Sequence, residues 1–212
     1  IINGFFPNER IKGTFDVIIL NSVFEHLDNL ESIIDSIKNV CNRESSLMIS
    51  VPNDFPYTST GDTSSLIHEH YTYFTIDSMR DFLDKRIGQI VDISTSSNSS
   101  MIYSAVNIKQ TTEKNQLEKN DIEKTLLVFY QKYLQNKKNF IAMFNANRNK
   151  KIAIYCPGRF INMFTAIQSE IETNNILFFD DDNLLKNKYF PSIGIPVLDF
   201  NDYQRIKPDI TY

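Results

Sequence analysis

Cysteine is scarce in this sequence, which has only Cys41 and Cys156 among its 212 residues. The two cysteines lie far apart and neither belongs to a C-x-x-C pair, so the sequence indicates neither a zinc knuckle nor a disulfide framework. We expect both to be buried small residues in a protein of a reducing compartment.

Long apolar runs and excess positive charge are also missing. No run approaches the roughly 18 to 20 apolar residues that a membrane span needs, and the first residues lack a charged segment with a cleavage site. The 22 Lys and Arg residues against 26 Asp and Glu give a net charge of -4, which argues against a nucleic-acid-binding surface. We therefore expect a cytoplasmic globular protein with neither a membrane nor a nucleic-acid partner.

An early part of the sequence has the pattern of a strand, a helix and a second strand. Val17 to Leu20 is a short apolar run, typical of a parallel strand that is covered on both faces. Asp28 or Asn29 can cap the helix that follows, whose apolar residues recur at helical spacing. Leu47 to Val51 is the next strand, and Pro52 ends it because proline cannot donate to the ladder. Together these segments form one right-handed parallel crossover unit.

The next segments predict a loop, a helix and two strands. Residues 52–65 are polar with several breakers, and a loop of this length after a parallel strand is often a functional lid. Thr75 is a good N-cap for a helix that should stop near Gly88. Strands are then predicted over Ile90 to Ile93 and, after a serine-rich turn, over Met101 to Ile108.

Two of these segments carry a family resemblance. The stretch FDVIILNSVFEHL, from Phe15 to Leu27, and the stretch SLMISVPND, from Ser46 to Asp54, resemble the later half of the catalytic domain of S-adenosylmethionine-dependent methyltransferases of the Rossmann-like class. In that class the fourth strand runs into an E-H-L turn, the fifth ends in V-P-N, and a terminal hairpin follows. No glycine-rich loop precedes the two stretches, so the part that would bind most of the cofactor lies outside these residues.

The resemblance implies S-adenosylmethionine as the cofactor. Asn21, Ser22 and Val23 follow the first strand, at the sheet edge where ligands of open α/β folds bind, and the resemblance implies that they line the cofactor. The next residues, Glu25 and His26, lie in a turn that opens a helix, where they can position their neighbours or take part in catalysis.

The later part of the chain reads as a linker and a second domain. Residues 111–150 are rich in polar residues, with apolar residues at spacings of three to five, and predict one or two amphipathic helices; a calmodulin-like or membrane role for them has little support. Residues 151–212 then predict a small α/β domain. Its strands are predicted at KIAIY, at Ile176 to Phe179 and at Val197 and Leu198, and a helix is predicted near Asp202 to Ile206. The order of a strand-turn, a D-D run and a G-I-P-V segment resembles the C-terminal domain of sugar C-methyltransferases.

These resemblances predict an α/β fold in three parts. The first is residues 1–110, a partial Rossmann-like methyltransferase sheet; the second is the helical linker, residues 111–150; the third is residues 151–212, a second small Rossmann-like α/β domain. The opening IINGFF and the closing DITY both read as strands of larger sheets, so we interpret the chain as a fragment of a longer protein.

The cluster of His68, Glu69 and His70 is the sharpest chemical signal in the sequence. A histidine can accept a proton at neutral pH, and a neighbouring carboxylate can orient it. In the sugar C-methyltransferases that the chain resembles, an H-E-H run at this place supplies the Glu and His of the catalytic base, which implies His70 as base and Glu69 as its partner. We assign His68, Tyr71 and Asn53 to substrate binding.

Two other interpretations of this cluster stay open. The H-x-x-Y-F-T pattern can be structural, with its aromatic residues packing on the helix that follows. His68 and His70 would also share one face of an extended segment, but zinc wants three or four protein ligands and the spacing names no third. We therefore predict no metal.

A dinucleotide site in the last domain has weaker support. Gly158 and the acids Asp180 to Asp182 lie about twenty residues apart, as in a dinucleotide fingerprint. Only one glycine is present, however, and Cys156 and Pro157 occupy positions where the family shows glycine and a small residue. We interpret this domain as one that helps hold the substrate or forms an assembly interface, with Arg159 either meeting a phosphate or lying exposed.

The predicted function is methyl transfer from S-adenosylmethionine to a carbon of a keto-sugar nucleotide. An O- or N-methyltransferase of a small molecule is the first alternative, because the early motifs are shared by many such enzymes. A non-catalytic binding or assembly module is the second, because the glycine-rich loop is missing. A homo-oligomer is compatible with each.

Overall fold

The computed structural model describes residues 2–108 and 119–212. The chain divides into two compact units, one of residues 1–56 with 67–124 and one of residues 57–66 with 125–212. Each unit has its own four-stranded sheet and its own hydrophobic core. The predicted α/β class is therefore confirmed, whereas the domain limits at residues 110 and 150 stay a prediction.

The predicted segments correspond closely to the observed elements. The first part of the chain contains strands β1 to β4 and helices α1 to α3: β1 Phe15–Asn21, α1 Leu30–Asn39, β2 Cys41–Pro52, α2 Phe55–Thr60, α3 Ile76–Arg86, β3 Gly88–Thr95 and β4 Met101–Ile108. The second part contains α4 Lys119–Ala146, β5 Ile152–Tyr155, α5 Ile161–Ile167, β6 Ile176–Phe179, β7 Val197–Leu198, α6 Phe200–Ile206 and β8 Ile210–Thr211. No helix among the described residues combines the length and the apolar character that crossing a membrane requires.

The sheet of the first unit has the strand order β1-β2-β4-β3. β1 and β2 pair in parallel, with Leu20 opposite Ile49. β4 lies between β2 and β3 and is antiparallel to both, with Val51 opposite Ile102. Two parallel strands followed by a terminal hairpin form the arrangement that the resemblance implies.

Within the part of the chain that the structure describes, one face of this sheet is covered and the other is open. Leu47, Ile49 and Val51 of β2 are buried in one cluster with residues of both α1 and α3. The opposite face presents Ile19 with 66% of its surface exposed and Met48 with 43%. The prediction that the first strand is covered on both faces is therefore wrong, because α1 and α3 contribute to the same core and, among the described residues of this unit, no helix packs on the other side.

The caps of the two main helices follow the sequence signals. The side chain of Asn29 accepts a hydrogen bond from the amide of Ser32 at the start of α1. Thr75 and Ser78 form a reciprocal capping box at the start of α3, which satisfies amides that the first helical turn leaves unpaired. α3 ends at Arg86, two residues before Gly88.

The segment predicted as a polar loop is folded instead. It contains α2 and a 3-10 turn at Thr63–Ser65. Helix α4 holds one end, because the side-chain amide of Asn136 donates to the carbonyl groups of Thr60 and Gly61. α5 holds the other, because Asn162 donates to the carbonyl groups of Thr63 and Leu66. These contacts bring residues 57–66 into the second unit and replace the predicted lid with an ordered connection.

The predicted linker helix is a single helix over its described part, α4, while residues 111–118 lie outside the described residues. Phe140 and Phe144 near its end pack into the second core. Earlier in the helix, Leu126 and Leu127 are each 57% exposed. The second half of α4 is therefore part of the second unit's core.

The sheet of the second unit is entirely parallel, in the order β7-β6-β5-β8. The tight turn after β5 takes its left-handed residue at Cys156, with φ 51°, rather than at Gly158. Cys156 is exposed in this turn, whereas Cys41 is buried. The prediction of two buried cysteines is thus wrong for Cys156, because the turn directs it away from the core.

Candidate functional site

The end of β1 is tied to β2. The backbone amide of Ser22 donates to the carbonyl of Ser50, and the hydroxyl of Ser50 donates to the side-chain oxygen of Asn21. Ser22 adopts a φ of 50°, which turns the chain sharply where the strand ends. Asn21, Ser22 and Val23 are all exposed at this edge, so the three residues predicted to line the cofactor are open to a ligand.

A 3-10 turn at Phe24–His26 follows directly. Phe24 is fully buried and packs against Phe74 and Phe82, which anchors the turn in the core of the first unit. The two residues that follow differ in exposure: Glu25 is 2% exposed, while His26 lies at the surface.

The segment that carries the histidine cluster docks on this turn. The amides of Tyr71 and Thr72 both donate to the carbonyl oxygen of Glu25, at 2.9 and 3.3 Å. Further along, Phe74 forms a parallel bridge with Asn53, at the end of β2. The backbone thus brings the segment around His70 beside the turn that follows β1.

His26 and His70 are in ring contact. Their centroids lie 4.9 Å apart with an edge-to-face angle of 70°. The Nδ1 atom of His26 is 2.9 Å from the carbonyl oxygen of Glu69, and its Nε2 atom is 3.9 Å from Oε1 of Glu25. Tyr73 borders the group, with its ring centroid 5.8 Å from that of His70. We call Glu25, His26 and His70 the histidine site.

Partial burial favours the neutral form of the His70 side chain. Partial desolvation lowers the pKa of His70 below 6.5, and the nearby charge of His26 lowers it further, while Glu25 and Glu69 act in the opposite direction. Because the first two causes prevail, the neutral imidazole is the main form of His70 at pH 7. A neutral imidazole can accept a proton or bind a metal ion.

Glu69 and His68 face solvent. Their side chains are 65% and 92% exposed, and they approach each other to 3.9 Å. Glu69 reaches the histidine site through its backbone carbonyl, which accepts the hydrogen bond from His26. The structure therefore places His70 in the cluster of interacting groups and leaves His68 outside it.

The two other residues predicted to bind substrate differ in exposure. Tyr71 is 66% exposed, whereas Asn53 is 3% exposed. The side chain of Asn53 donates to the carbonyl of Ser99 and accepts from the amide of Phe55, so it connects the serine-rich turn to α2. The substrate roles of His68, Tyr71 and Asn53 stay predictions.

Sequence reasoning did not connect His26 and Glu25 with His70. The two segments are separated by a helix, a strand and α2, and no spacing rule links residues across them. The only signal was their place in the turn after the first strand. Once the fold brings them together, Glu25, His26 and His70 each offer one ligand atom within 4.8 Å of the others. The structure thus groups His70 with two residues of another segment, and not with His68, the residue that the sequence analysis considered beside it.

Two cavities of the second unit involve none of these residues. One is lined by residues of the end of α4 and by residues 169–174, and the other lies beside β6 and residues 193–196. Neither is lined by a residue that the sequence analysis assigned to a cofactor, a substrate or catalysis.

Residues 6–88 match a protein family described as "Methyltransferase domain". The matched range contains β1, the histidine site and α3. No curated protein sequence matches the chain significantly.

Two solved structures are similar to part of the chain. TehB from Haemophilus influenzae is 15% identical with a TM-score of 0.32, over 47% of this chain and 37% of TehB. The N-methyltransferase NodS from Bradyrhizobium japonicum WM9 is 13% identical with a TM-score of 0.32, over 46% of this chain and 53% of NodS. The matched part thus covers about a third to a half of each of these proteins. Residues 6–88 are thus similar to a methyltransferase domain, which implies S-adenosylmethionine as the cofactor.

Proposed function

We propose that this chain is part of a methyltransferase that transfers a methyl group from S-adenosylmethionine to a carbon atom of a keto-sugar nucleotide. The observation that carries the proposal is the contact between His26 and His70, beside the end of β1 and within the range of the methyltransferase match. The contact supports the proposal because His26, which His70 contacts, follows closely in sequence on Asn21 to Val23, the residues predicted to line the cofactor.

The chemistry defines what these residues must do. S-adenosylmethionine supplies an electrophilic methyl group, so the protein mainly has to hold donor and acceptor in register and to remove a proton from the acceptor. For methylation of carbon, that proton lies on the carbon next to a ketone. Its removal leaves an enolate, whose carbon then forms the new bond to the methyl group.

His70 is the proposed proton acceptor. Its lowered pKa keeps the ring neutral and ready to accept at pH 7. The positive charge that His70 gains is opposed by His26 and favoured by Glu25 and Glu69. Glu69 adds a second effect, because its carbonyl group holds the His26 ring in place. Glu69 is thus a partner of His70 through charge and through the position of His26.

Replacement of His70 by Ala tests this role. In the full-length protein we expect the variant to lose turnover with a candidate keto-sugar nucleotide while S-adenosylmethionine binding, measured by calorimetry, stays nearly unchanged. Turnover of the His70 variant at the wild-type rate would remove His70 from the mechanism.

The methylated atom is determined separately. Mass spectrometry and NMR of the product distinguish a new carbon-methyl bond from an oxygen- or nitrogen-methyl bond. A methyl group on oxygen or nitrogen would contradict C-methylation and leave methyl transfer intact. Calorimetry of S-adenosylmethionine with the 212-residue chain addresses the remaining alternative, since binding in the micromolar range contradicts a non-catalytic module.

A further inference from the structure

The buried carboxylate of Glu25 has one oxygen atom without a hydrogen-bond partner among the described residues. Its side chain is 3% exposed, and its Oε2 atom is buried without a hydrogen-bond partner among the described residues. A buried carboxylate oxygen without a hydrogen bond is costly. Such an atom indicates a ligand that supplies the missing interaction.

The hydrogen bond of His26 determines which of its nitrogen atoms can bind that ligand. The carbonyl oxygen of Glu69 only accepts, so Nδ1 of His26 carries the proton. The lone pair then lies on Nε2, the atom that is 3.9 Å from Oε1 of Glu25. A histidine that binds a metal ion commonly donates its other N–H to a carbonyl or carboxylate in this way.

His70 is the third possible metal ligand, beside Glu25 and His26. Two imidazoles that bind one tetrahedral metal ion, at the usual zinc–nitrogen distance of about 2.0–2.1 Å, have ring centroids roughly 5 Å apart. The centroids of His26 and His70 are 4.9 Å apart. The three ligand atoms lie within 4.8 Å of one another, so small side-chain rotations bring each of them to bonding distance of one ion.

We propose that Glu25, His26 and His70 bind a divalent transition-metal ion of the Zn²⁺ type. Two imidazoles and one carboxylate match the preference of zinc for nitrogen and oxygen ligands, and a site of three protein ligands leaves one position for water or a substrate oxygen. The negative charge of Glu25 becomes compensated when the ion binds. This assignment replaces the expectation that the chain binds no metal.

A neutral imidazole has only one nitrogen lone pair that can bind. His70 therefore cannot bind a metal ion and accept a proton at the same time. Bound Zn²⁺ is therefore expected to suppress turnover that depends on His70. This consequence rests on the proposed function, whereas the binding itself does not. A binding measurement on the 212-residue chain thus fails or succeeds independently of methyl transfer.

The test is competition for Zn²⁺ between the chain and a chromophoric chelator, with His70→Ala, His26→Ala and Glu25→Gln as site variants. Loss of a partner that only orients a ligand costs about 10–100-fold in affinity, so we expect loss of a ligand to cost at least about tenfold. His68→Ala is the matched control and should keep the wild-type affinity. Far-UV circular dichroism of each apo variant verifies that it is folded, and Glu25→Gln preserves the shape of the buried side chain.

Co²⁺ gives an independent readout. We expect visible ligand-field bands of a low-coordinate Co²⁺ complex in the wild type and in His68→Ala, and their loss in His70→Ala. If His68→Ala weakens binding as much as His70→Ala, the ion binds to the exposed histidines and the proposal is overturned. Absence of Zn²⁺ binding to the folded wild-type chain overturns it as well.

Discussion

The ring of His26 lies edge-on to the ring of His70, although the two residues come from segments on either side of α1, β2 and α2. Two protonated imidazoles at a centroid distance of 4.9 Å repel each other. His26 is therefore one cause of the lowered pKa of His70, after burial, while Glu25 and Glu69 counteract both. The titration of His70 is therefore the most direct test of the charges around the site.

The first prediction concerns the pKa of His70. With only three histidines in the sequence, their ring protons can be followed by NMR during a pH titration in metal-free buffer. We expect His26→Gln to raise the pKa of His70, because it removes a positive neighbour, and Glu25→Gln to lower it, because it removes a negative one. A shift of His70 in the same direction in both variants would contradict the arrangement of charges.

The same shift has a consequence for stability. Since the pKa of folded His70 lies below its ordinary value of 6.5, the unfolded chain binds more protons than the folded chain when the pH falls through 6.5. The free energy of unfolding therefore decreases as the pH falls from about 6.5. The contribution of His70 to this decrease is complete once the pH lies below the pKa of His70 in the folded chain. In urea unfolding with a metal chelator, we expect His70→Gln to lose less stability than the wild type between pH 7.5 and 5.5. An equal loss in both proteins would show that His70 does not contribute.

The third prediction compares the two faces of the first sheet. Ile49 is 2% exposed and Ile19 is 66% exposed, and they lie on neighbouring parallel strands. We expect Ile49→Ala to lower the free energy of unfolding by about 2–5 kcal/mol and Ile19→Ala by less than about 1 kcal/mol. Urea unfolding of the two variants at pH 7.5 provides the comparison. Equal losses would mean that the face of Ile19 is covered in solution.

The parts of the fold that the sequence predicted are governed by local chemistry. Pro52 ends β2 because it lacks an amide proton, and Asn29 and Thr75 cap α1 and α3 because their side chains accept from nearby amides. The loop prediction for residues 52–65 was wrong, because the order of this segment depends on Asn136 and Asn162, which lie far away in the sequence. Composition alone cannot report such contacts.

For the site too, the sequence predicted what depends on neighbouring residues and missed what depends on distant segments. The H-E-H run was recognised from adjacent residues, and His70 does contact the other titratable groups of the site. Its partners Glu25 and His26 come from another segment, and hydrogen bonds between the two segments, such as that from the amide of Tyr71 to the carbonyl of Glu25, bring them together. The exposure of Ile19 was missed for a related reason, since an apolar run predicts a strand without telling whether a helix covers it.

The fourth prediction concerns Tyr155 at the end of β5. A hydrogen bond to the carboxylate of Asp181 is the largest cause that raises the pKa of Tyr155 to about 12. We expect Asp181→Asn to bring this pKa down towards 10, because the neutral amide no longer favours the protonated hydroxyl. NMR of ¹³C-labelled tyrosine during alkaline titration follows the change. Asp182→Asn is the matched control, and an equal shift in that variant would refute a specific role for Asp181.

The last prediction uses the close packing of Gly61 on α4. Gly61 has a φ of 70°, and a Cβ atom there would lie 2.5 Å from the backbone carbon of Lys132 and would also meet the amide of Tyr133. Helical backbone cannot move aside as a flexible side chain can, and a non-glycine residue at this φ is strained as well. We therefore expect Gly61→Ala to lower the free energy of unfolding by at least about 2 kcal/mol.

Gly158→Ala is the control for this substitution. A Cβ atom at Gly158 meets nothing within 4 Å, and its φ lies outside the left-handed range. We expect a change within about 0.5 kcal/mol there. Urea unfolding monitored by far-UV circular dichroism measures both variants, and hydrogen exchange of α4 amides locates the effect. If Gly61→Ala were as stable as Gly158→Ala, residues 57–66 would not pack on α4 as described, and the connection would have the freedom of the loop that its polar sequence predicts.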